Sequence, residues 1–286
     1  MNGNYYLADP DAFTVARQTI PEQTWHGGKK PLTLDEARVS IALAAIAGGM
    51  YEIGDDLPAL GADANRVALV KNQDLMNMAR LRRSSLPLDL MSYLPTDEMP
   101  SIFLLRESKR QAILTVFNWT EKPTEHKLDL AKDLALEESG HHQIFDVFEG
   151  KLLEEKPDSI DVSLPPHSAK VFKIVDTSIP PAAPAVTVNL ADHVQVGKTA
   201  ELSAQSDPNG TPALRYLWQF GDGTSGEGAQ VEHTFTRAGD FSVSLHVEGL
   251  DGVALEKLIP VTVTGKIDTR FDPASKQRLT PGAGPP

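Results

Sequence analysis

The sequence predicts a multidomain chain, an α/β segment followed by two all-β modules, and three observations carry that reading. Its 286 residues exceed the usual domain of about 100–150. The hydrophobic period changes from helical to alternating near residue 100. A proline-rich run, Ile179-Pro180-Pro181-Ala182-Ala183-Pro184, separates two alternating stretches. Hydrophobic residues at 41% and charged residues at 23% are near globular averages, so most of the chain is expected to bury a core. There is no apolar run close to the ~20 residues of a membrane span. The first residues also lack the basic-then-apolar pattern of a secretory signal. The absence of cysteine excludes disulfides, thiolate chemistry and cysteine-ligated metal. A net charge of −12 with no basic stripe argues against nucleic acid as a partner. No cofactor and no metal site are expected.

Residues 1–83 read as alternating strands and helices. Tyr5-Tyr6-Leu7-Ala8 is a short apolar run, read as a buried strand. Thr33-Leu34-Asp35-Glu36 is a capping box, so a helix starts there. Leu34–Ala47 is apolar or small on nearly every face, which suits a helix packed closely on a sheet, and Gly48-Gly49 stops it. Met50-Tyr51-Glu52-Ile53 is a second buried-strand candidate, and Ala62–Arg82 a second helical stretch. Strand, helix, strand, helix is the repeat of an α/β barrel or a doubly wound sheet. The acids Asp9, Asp11, Asp55 and Asp56 fall just past the strand ends, where such folds keep their chemistry.

Residues 84–177 alternate. Gln111–Asn118, Thr124–Asp129, Gln143–Phe148, Ile160–Leu164 and Ala169–Ile174 read as short strands of an antiparallel sheet or sandwich. Residues 178–185 read as a semi-rigid linker. Residues 186–265 form a second β-module, with alternation such as Phe241–Val247. Residues 266–286, ending Pro-Gly-Ala-Gly-Pro-Pro, have too little apolar content to order themselves.

Within 186–265, Trp218-Gln219-Phe220-Gly221-Asp222-Gly223, then His233-Thr234-Phe235, then Ala238-Gly239-Asp240-Phe241 resemble a PKD domain, with Phe241 where tyrosine is commoner. The resemblance implies an immunoglobulin-like β-sandwich serving as a spacer or accessory module in secreted bacterial hydrolases. Gly221 and Gly223 suit a tight turn, and Trp218 and Phe235 read as core.

The first 175 residues resemble, in collinear order, the C-terminal part of α-galactosidase-like (melibiase) glycoside hydrolases. Tyr6-Leu7-Ala8-Asp9-Pro10-Asp11 is similar to the N-D-P-D element ending that family's seventh barrel strand, with Leu7 and Ala8 in place of its tryptophan and asparagine. Leu32–Ala47 resembles the seventh helix, Ile53-Gly54-Asp55-Asp56-Leu57 the G-x-D-L/I of the eighth strand, and Leu69-Val70-Lys71-Asn72-Gln73 part of the eighth helix. Val116–Glu121, Phe145–Lys151 and Leu164–Ala169 look like the terminal β-domain. The implied fold is a C-terminal remnant of a TIM barrel, its last two βα units, joined to an antiparallel β-sandwich.

Retaining hydrolysis needs two carboxyl groups about 5–5.5 Å apart. In the family these lie on the fourth and sixth strands, which precede the matched region. A barrel takes about 250 residues, far more than precede the β-domain here, so the expectation is a chain inactive without the rest of its barrel. That missing N-terminal part is the implied protein partner, and a carbohydrate the implied substrate. Asp11 matches an active-site aspartate lining the sugar pocket, and Asp9 and Asp56 match acidic positions of structural character. The implied location is extracellular or periplasmic.

Other readings stay open. Asp9 and Asp11, at i and i+2 of a strand, could themselves be the catalytic pair, although such neighbours more often cap turns. Glu52 in a buried strand must be paired, with Arg38 or Arg66 as candidates, or must face a pocket. Trp25 could stack on a sugar ring. His141-His142 reads as an exposed loop rather than a metal site. Asn118-Trp119-Thr120 satisfies the glycosylation pattern, but packing explains it better. Asp207-Pro208-Asn209-Gly210 reads as a turn whose oxygens could also hold calcium. The competing function is a noncatalytic carbohydrate-binding or surface protein built from two β-modules.

Overall fold

The computed structural model describes residues 12–16, 32–91, 99–137, 140–155, 157–190 and 194–265. The chain divides into two compact units. The first comprises residues up to 185 with 206–214 and 248–254, and the second the remainder of the 186–265 stretch.

In the first unit, helix α1 (Leu34–Ala47) starts as the capping box requires. The Glu36 amide donates to the Thr33 hydroxyl at 3.1 Å, and the Thr33 amide to the Glu36 carboxylate at 2.7 Å. It ends at Gly48, whose φ is +65°. A Cβ there would lie 2.3 Å from the Arg83 carbonyl carbon, so only glycine fits. The last carbonyls of α1 are satisfied by the segment pressed against that glycine, Ser85 N–H to Ile46 O at 2.9 Å and Ser84 Oγ to Ala47 O at 2.7 Å.

The helical stretch expected over 62–82 consists of two short helices, α3 (Ala64–Val70) and α4 (Gln73–Arg80), preceded by α2 (Leu57–Gly61). The interruptions are N-caps: the Asp63 carboxylate accepts from the Asn65 and Arg66 amides, and the Asn72 side chain from the Leu75 amide.

The β-part is a six-stranded antiparallel sheet in the order β1-β2-β3-β8-β5-β6, plus a β4–β7 pair. Its strands are β1 (Leu86–Pro87), β2 (Ile102–Arg106), β3 (Gln111–Asn118), β4 (Thr124–Asp129), β5 (His142–Asp146), β6 (Lys151–Glu155), β7 (Ser159–Leu164) and β8 (Ser168–Asp176).

Both faces of the sheet are covered. Leu104, Ala112, Leu114, Val116, Phe172 and Ile174 pack on Leu128, Ile160, Val162 and Leu164 of the β4–β7 pair. Leu105, Ile113, Phe117, Ala169 and Val171 face the other way, into one core with Ile41, Ala45, Leu75 and Met78 of the helices. The helical layer is thus buried on the back of the antiparallel sheet. Every residue of β3 is buried in consequence.

The second unit pairs a five-stranded sheet, β10-β16-β15-β12-β13, with a three-stranded one, β14-β11-β9. These are β9 (Val186–Leu190), β10 (Val194–Gln195), β11 (Thr199–Ser206), β12 (Ala213–Gln219), β13 (Ser225–Glu227), β14 (Gln230–Thr234), β15 (Gly239–Gly249) and β16 (Leu255–Thr264). Trp218, Phe235, Val243 and Leu245 are fully buried between the sheets. The indole of Trp218 donates to the Gly228 carbonyl at 2.9 Å. The region 178–185 carries no strand before Val186, and the predicted tail at 266–286 lies outside the described residues.

Candidate functional site

The chemistry was expected just past two strand ends, at Asp9 and Asp11 and at Asp55 and Asp56, and the described residues there are 12–16 and 51–56. Phe13 and Ile53 form a parallel bridge. The Phe13 amide donates to the Glu52 carbonyl at 2.9 Å, and the Gly54 amide to the Phe13 carbonyl at 2.8 Å. Parallel neighbours require a crossover between them, and α1 lies in that interval.

Two side chains pin the peptide around Val15 and Ala16. The two Asp55 carboxylate oxygens accept from the Val15 amide at 2.7 Å and the Ala16 amide at 3.0 Å. Arg66, 3% exposed, donates to the Val15 and Leu32 carbonyls and pairs with Asp63 at 3.1 Å. A buried guanidinium is tolerated because its donors are spent on fixed acceptors. Phe13 packs on Tyr51 at 4.7 Å between ring centroids, and burial raises the Tyr51 phenol well above its usual range.

Of the five sequence candidates, Asp9, Asp11 and Trp25 lie outside the described residues. The other two are not gathered into a cavity. Glu52 is exposed, which corrects the expectation of a buried charge: only Ile53 of the 50–53 run makes a bridge, and that short extended stretch turns the Glu52 side chain outward. Neither proposed partner meets it. Arg38 reaches Glu149 at 2.7 Å and Asp35 at 3.5 Å, and Arg66 reaches Asp63. Asp56 is exposed at the N-cap of α2, its side chain making no cap bond. Sequence reasoning placed Asp55 at a strand end without assigning it a role, and considered Arg66 only as one of two candidate partners of Glu52. Their common task, holding the peptide at Val15 and Ala16, depends on contacts 39 to 51 residues apart in sequence.

Three secondary candidates resolve as local structure. His142 is 6% exposed on β5, correcting the exposed-loop reading: the strand starts one residue earlier than the alternation suggested and turns that side chain inward, while His141 stays exposed. Asn118, 1% exposed, donates to the carbonyls of Lys122, Leu164 and Pro165 and accepts from the amide and hydroxyl of Thr120. Asp207 accepts from the Asn209 amide at 2.9 Å, as a turn does.

In the second unit, the Gly221-Asp222-Gly223 turn is fixed by contact. Gly221 has φ +77°, and a Cβ on it would lie 2.7 Å from the Ser242 carbonyl oxygen. Asp222 accepts from the amide and hydroxyl of Thr224 and meets His233 Nε2 at 2.8 Å. Burial works against that carboxylate, but these hydrogen bonds and the His233 charge outweigh it and hold the carboxyl down at about 2. The His233 ring stacks on Phe220 at 3.9 Å and meets Phe235 edge-on at 4.5 Å.

Both parts of the chain are similar to known structures. A candidate α-galactosidase/melibiase from Bacteroides fragilis aligns over 59% of this chain and 34% of its own at 17% identity, TM-score 0.47. The GH27 β-L-arabinopyranosidase of Geobacillus stearothermophilus aligns over 60% of this chain and 38% of its own at 18% identity, TM-score 0.45. The chain therefore spans little more than a third of the length of these enzymes. The PKD1 domain of the Vibrio cholerae metalloprotease PrtV is covered completely, over 29% of this chain, at 24% identity and TM-score 0.27. Residues 181–263 match the family model of the PKD domain.

Proposed function

We propose that this chain is the C-terminal part of a retaining α-galactosidase-like glycoside hydrolase acting on terminal α-linked sugars, with a PKD-type spacer appended. The observation that supports the reading most is the parallel bridge between Phe13 and Ile53, spanned by α1 and secured by Asp55. Residues 12–16, which follow the Asp9-Pro10-Asp11 motif in sequence, thus lie parallel to the Ile53-Gly54-Asp55-Asp56 motif with a helix in the interval, as two successive barrel units would. In this reading Asp11 lines the sugar pocket, Asp9 and Asp56 are structural, and Asp55 and Arg66 position the Asp11-bearing peptide. The nucleophile and the acid/base belong to earlier strands, so the chain alone does not turn over substrate. Export from the cytoplasm accompanies this function; among the described residues no helix is long and apolar enough to cross a membrane. The test is the coding sequence upstream of Met1. Six further strand–helix units with two carboxylates at strand ends support the reading, and an unrelated gene there removes its basis.

A noncatalytic carbohydrate-binding module is the second reading, favoured by the way the helices bury their apolar faces on the antiparallel sheet in one core. Titration calorimetry of the chain against galactosides and polysaccharides separates the two, since binding at millimolar concentration or better without hydrolysis supports the module.

A further inference from the structure

The hairpin loop between β2 and β3 concentrates positive charge in a chain whose net charge is −12. Arg106-Glu107-Ser108-Lys109-Arg110 places three cations within five residues. Backbone and hydroxyl contacts hold that loop in one shape: the Glu107 and Ser108 amides both donate to the Gln111 carbonyl at 3.1 Å, and the Ser108 hydroxyl accepts from the Arg110 and Gln111 amides at 3.1 Å each. A fourth cation comes from the segment after α4, where the Arg83 guanidinium donates to the Glu107 backbone carbonyl. Like charges gathered in this way repel one another, and an anion among them relieves the repulsion.

A cleft of about 840 Å³ opens beside the loop, and all of its walls belong to the first unit. Arg80, the last residue of α4, lines it together with Arg83, Arg106, Lys109 and Arg110. Much of their donor capacity is not taken up by the protein. Arg80 and Lys109 are exposed and make no hydrogen bond or ion pair among the described residues. Arg83 uses one nitrogen on Glu107, and Arg106 one on the Leu134 and Ala135 carbonyls. Arg110 is the most committed, to the Ile179 carbonyl at 3.0 Å and to Asp251 at 3.8 Å. The carboxylates on the same walls are mostly turned to their own neighbours. Glu107, 2% exposed, accepts from the Gln111 side-chain amide at 2.8 Å, Asp176 from the amide and hydroxyl of Ser178, and Asp207 from the Asn209 amide; Glu137 is exposed.

We propose that this cleft binds a small molecule bearing a phosphate or sulfate group, with Arg80, Lys109 and the remaining nitrogen atoms of Arg83 as its donors. The volume lies within the range of small-molecule sites, about 300–1,000 Å³. A guanidinium offers paired N–H groups that match two oxygens of a tetrahedral oxyanion, and the lysine adds a point charge. A neutral ligand makes little use of such walls.

The cleft is independent of the glycosidase reading, and its test uses the full chain. Calorimetry in phosphate-free buffer measures inorganic phosphate, inorganic sulfate, a sulfated disaccharide and its neutral parent. The expected result is binding of the anions with a dissociation constant near or below about 1 mM, weakened by added sodium chloride, and no binding of the neutral parent. Equal affinity for the free ions and the sulfated sugar identifies the anion itself as the ligand, and tighter binding of the sulfated sugar identifies an ester; either supports the site. Arg80→Gln and Lys109→Gln, which remove no contact among the described residues, each weaken binding about tenfold with the thermal midpoint unchanged. Arg82→Gln removes the same charge from an exposed residue that does not line the cleft, and leaves affinity within about twofold of the wild type. Failure of every anion to bind overturns the proposal. So does equal binding of the neutral sugar, or an Arg82→Gln loss as large as that of Arg80→Gln.

Discussion

Asn118→Ala gives the sharpest test of how the first unit is held together. The Asn118 side chain joins the end of β3, the 119–122 turn and the end of β7 through three carbonyls and two Thr120 donors. Two amide hydrogens serve three acceptors, so one is shared, and four full hydrogen bonds are lost on truncation. At roughly 0.5–1.5 kcal/mol net per bond, with water recovering those at the exposed turn, the expected loss is about 3 kcal/mol. Asn118→Asp keeps the acceptors but places a charge against the Leu164 and Pro165 carbonyls, so at neutral pH it costs at least as much. Urea unfolding, followed by hydrogen exchange at the β3 and β7 amides, measures both. The same side chain is the acceptor of the Asn-x-Thr pattern, and its burial predicts an unmodified Asn118 when the chain is secreted from a glycosylating host. A loss below about 1 kcal/mol, or a glycan on Asn118 detected by mass spectrometry, refutes the reasoning.

Other expectations follow from single contacts. Gly48→Ala drives a methyl group into the Arg83 carbonyl and costs more than the ~1 kcal/mol of an ordinary left-handed alanine, read as a lowered thermal midpoint, whereas Gly61→Ala, with open space around it, does not lower it. Asp55→Ala frees the Val15 and Ala16 amides, and their hydrogen exchange accelerates by a factor of ten or so for each ~1.4 kcal/mol of lost local protection; unchanged exchange removes Asp55 as the clamp. The Asp222 carboxyl is depressed, so its contribution is fully present above the unfolded value near 4 and is lost as pH falls toward about 2; acid unfolding of Asp222→Asn should lack that component. Deleting residues 1–83 uncovers Leu105, Ile113, Phe117 and Val171, so the shortened chain is expected to aggregate in light scattering.

The sequence was most legible where a pattern is local. The Thr33–Glu36 box and Gly48 bounded α1, and the alternation over 111–174 gave five strands, because both signals rest on neighbouring residues. The covering of the sheet was not legible: β3 is buried along its whole length, and nothing in its sequence says what lies on either side. The short strands β1 and β6 escaped for different reasons. One is two residues long, and the other, Lys151–Glu155, is exposed throughout, so neither produces a hydrophobic period. In the candidate site, Glu52 misled because Met50–Ile53 looks apolar, yet only Ile53 bridges. The clamping roles of Asp55 and Arg66 were missed since the groups they hold are backbone atoms at Val15, Ala16 and Leu32, which no side-chain pattern advertises.

The most direct test of the enzyme-fragment reading is a hydrolysis assay of the purified chain with an aryl α-galactoside. The expected reading is no release of the aryl alcohol above the buffer rate, because both reacting carboxylates are assigned to strands outside this sequence. Steady turnover that survives repurification and disappears in Asp11→Asn would contradict it, and would return the catalytic pair to the Asp9–Asp11 motif.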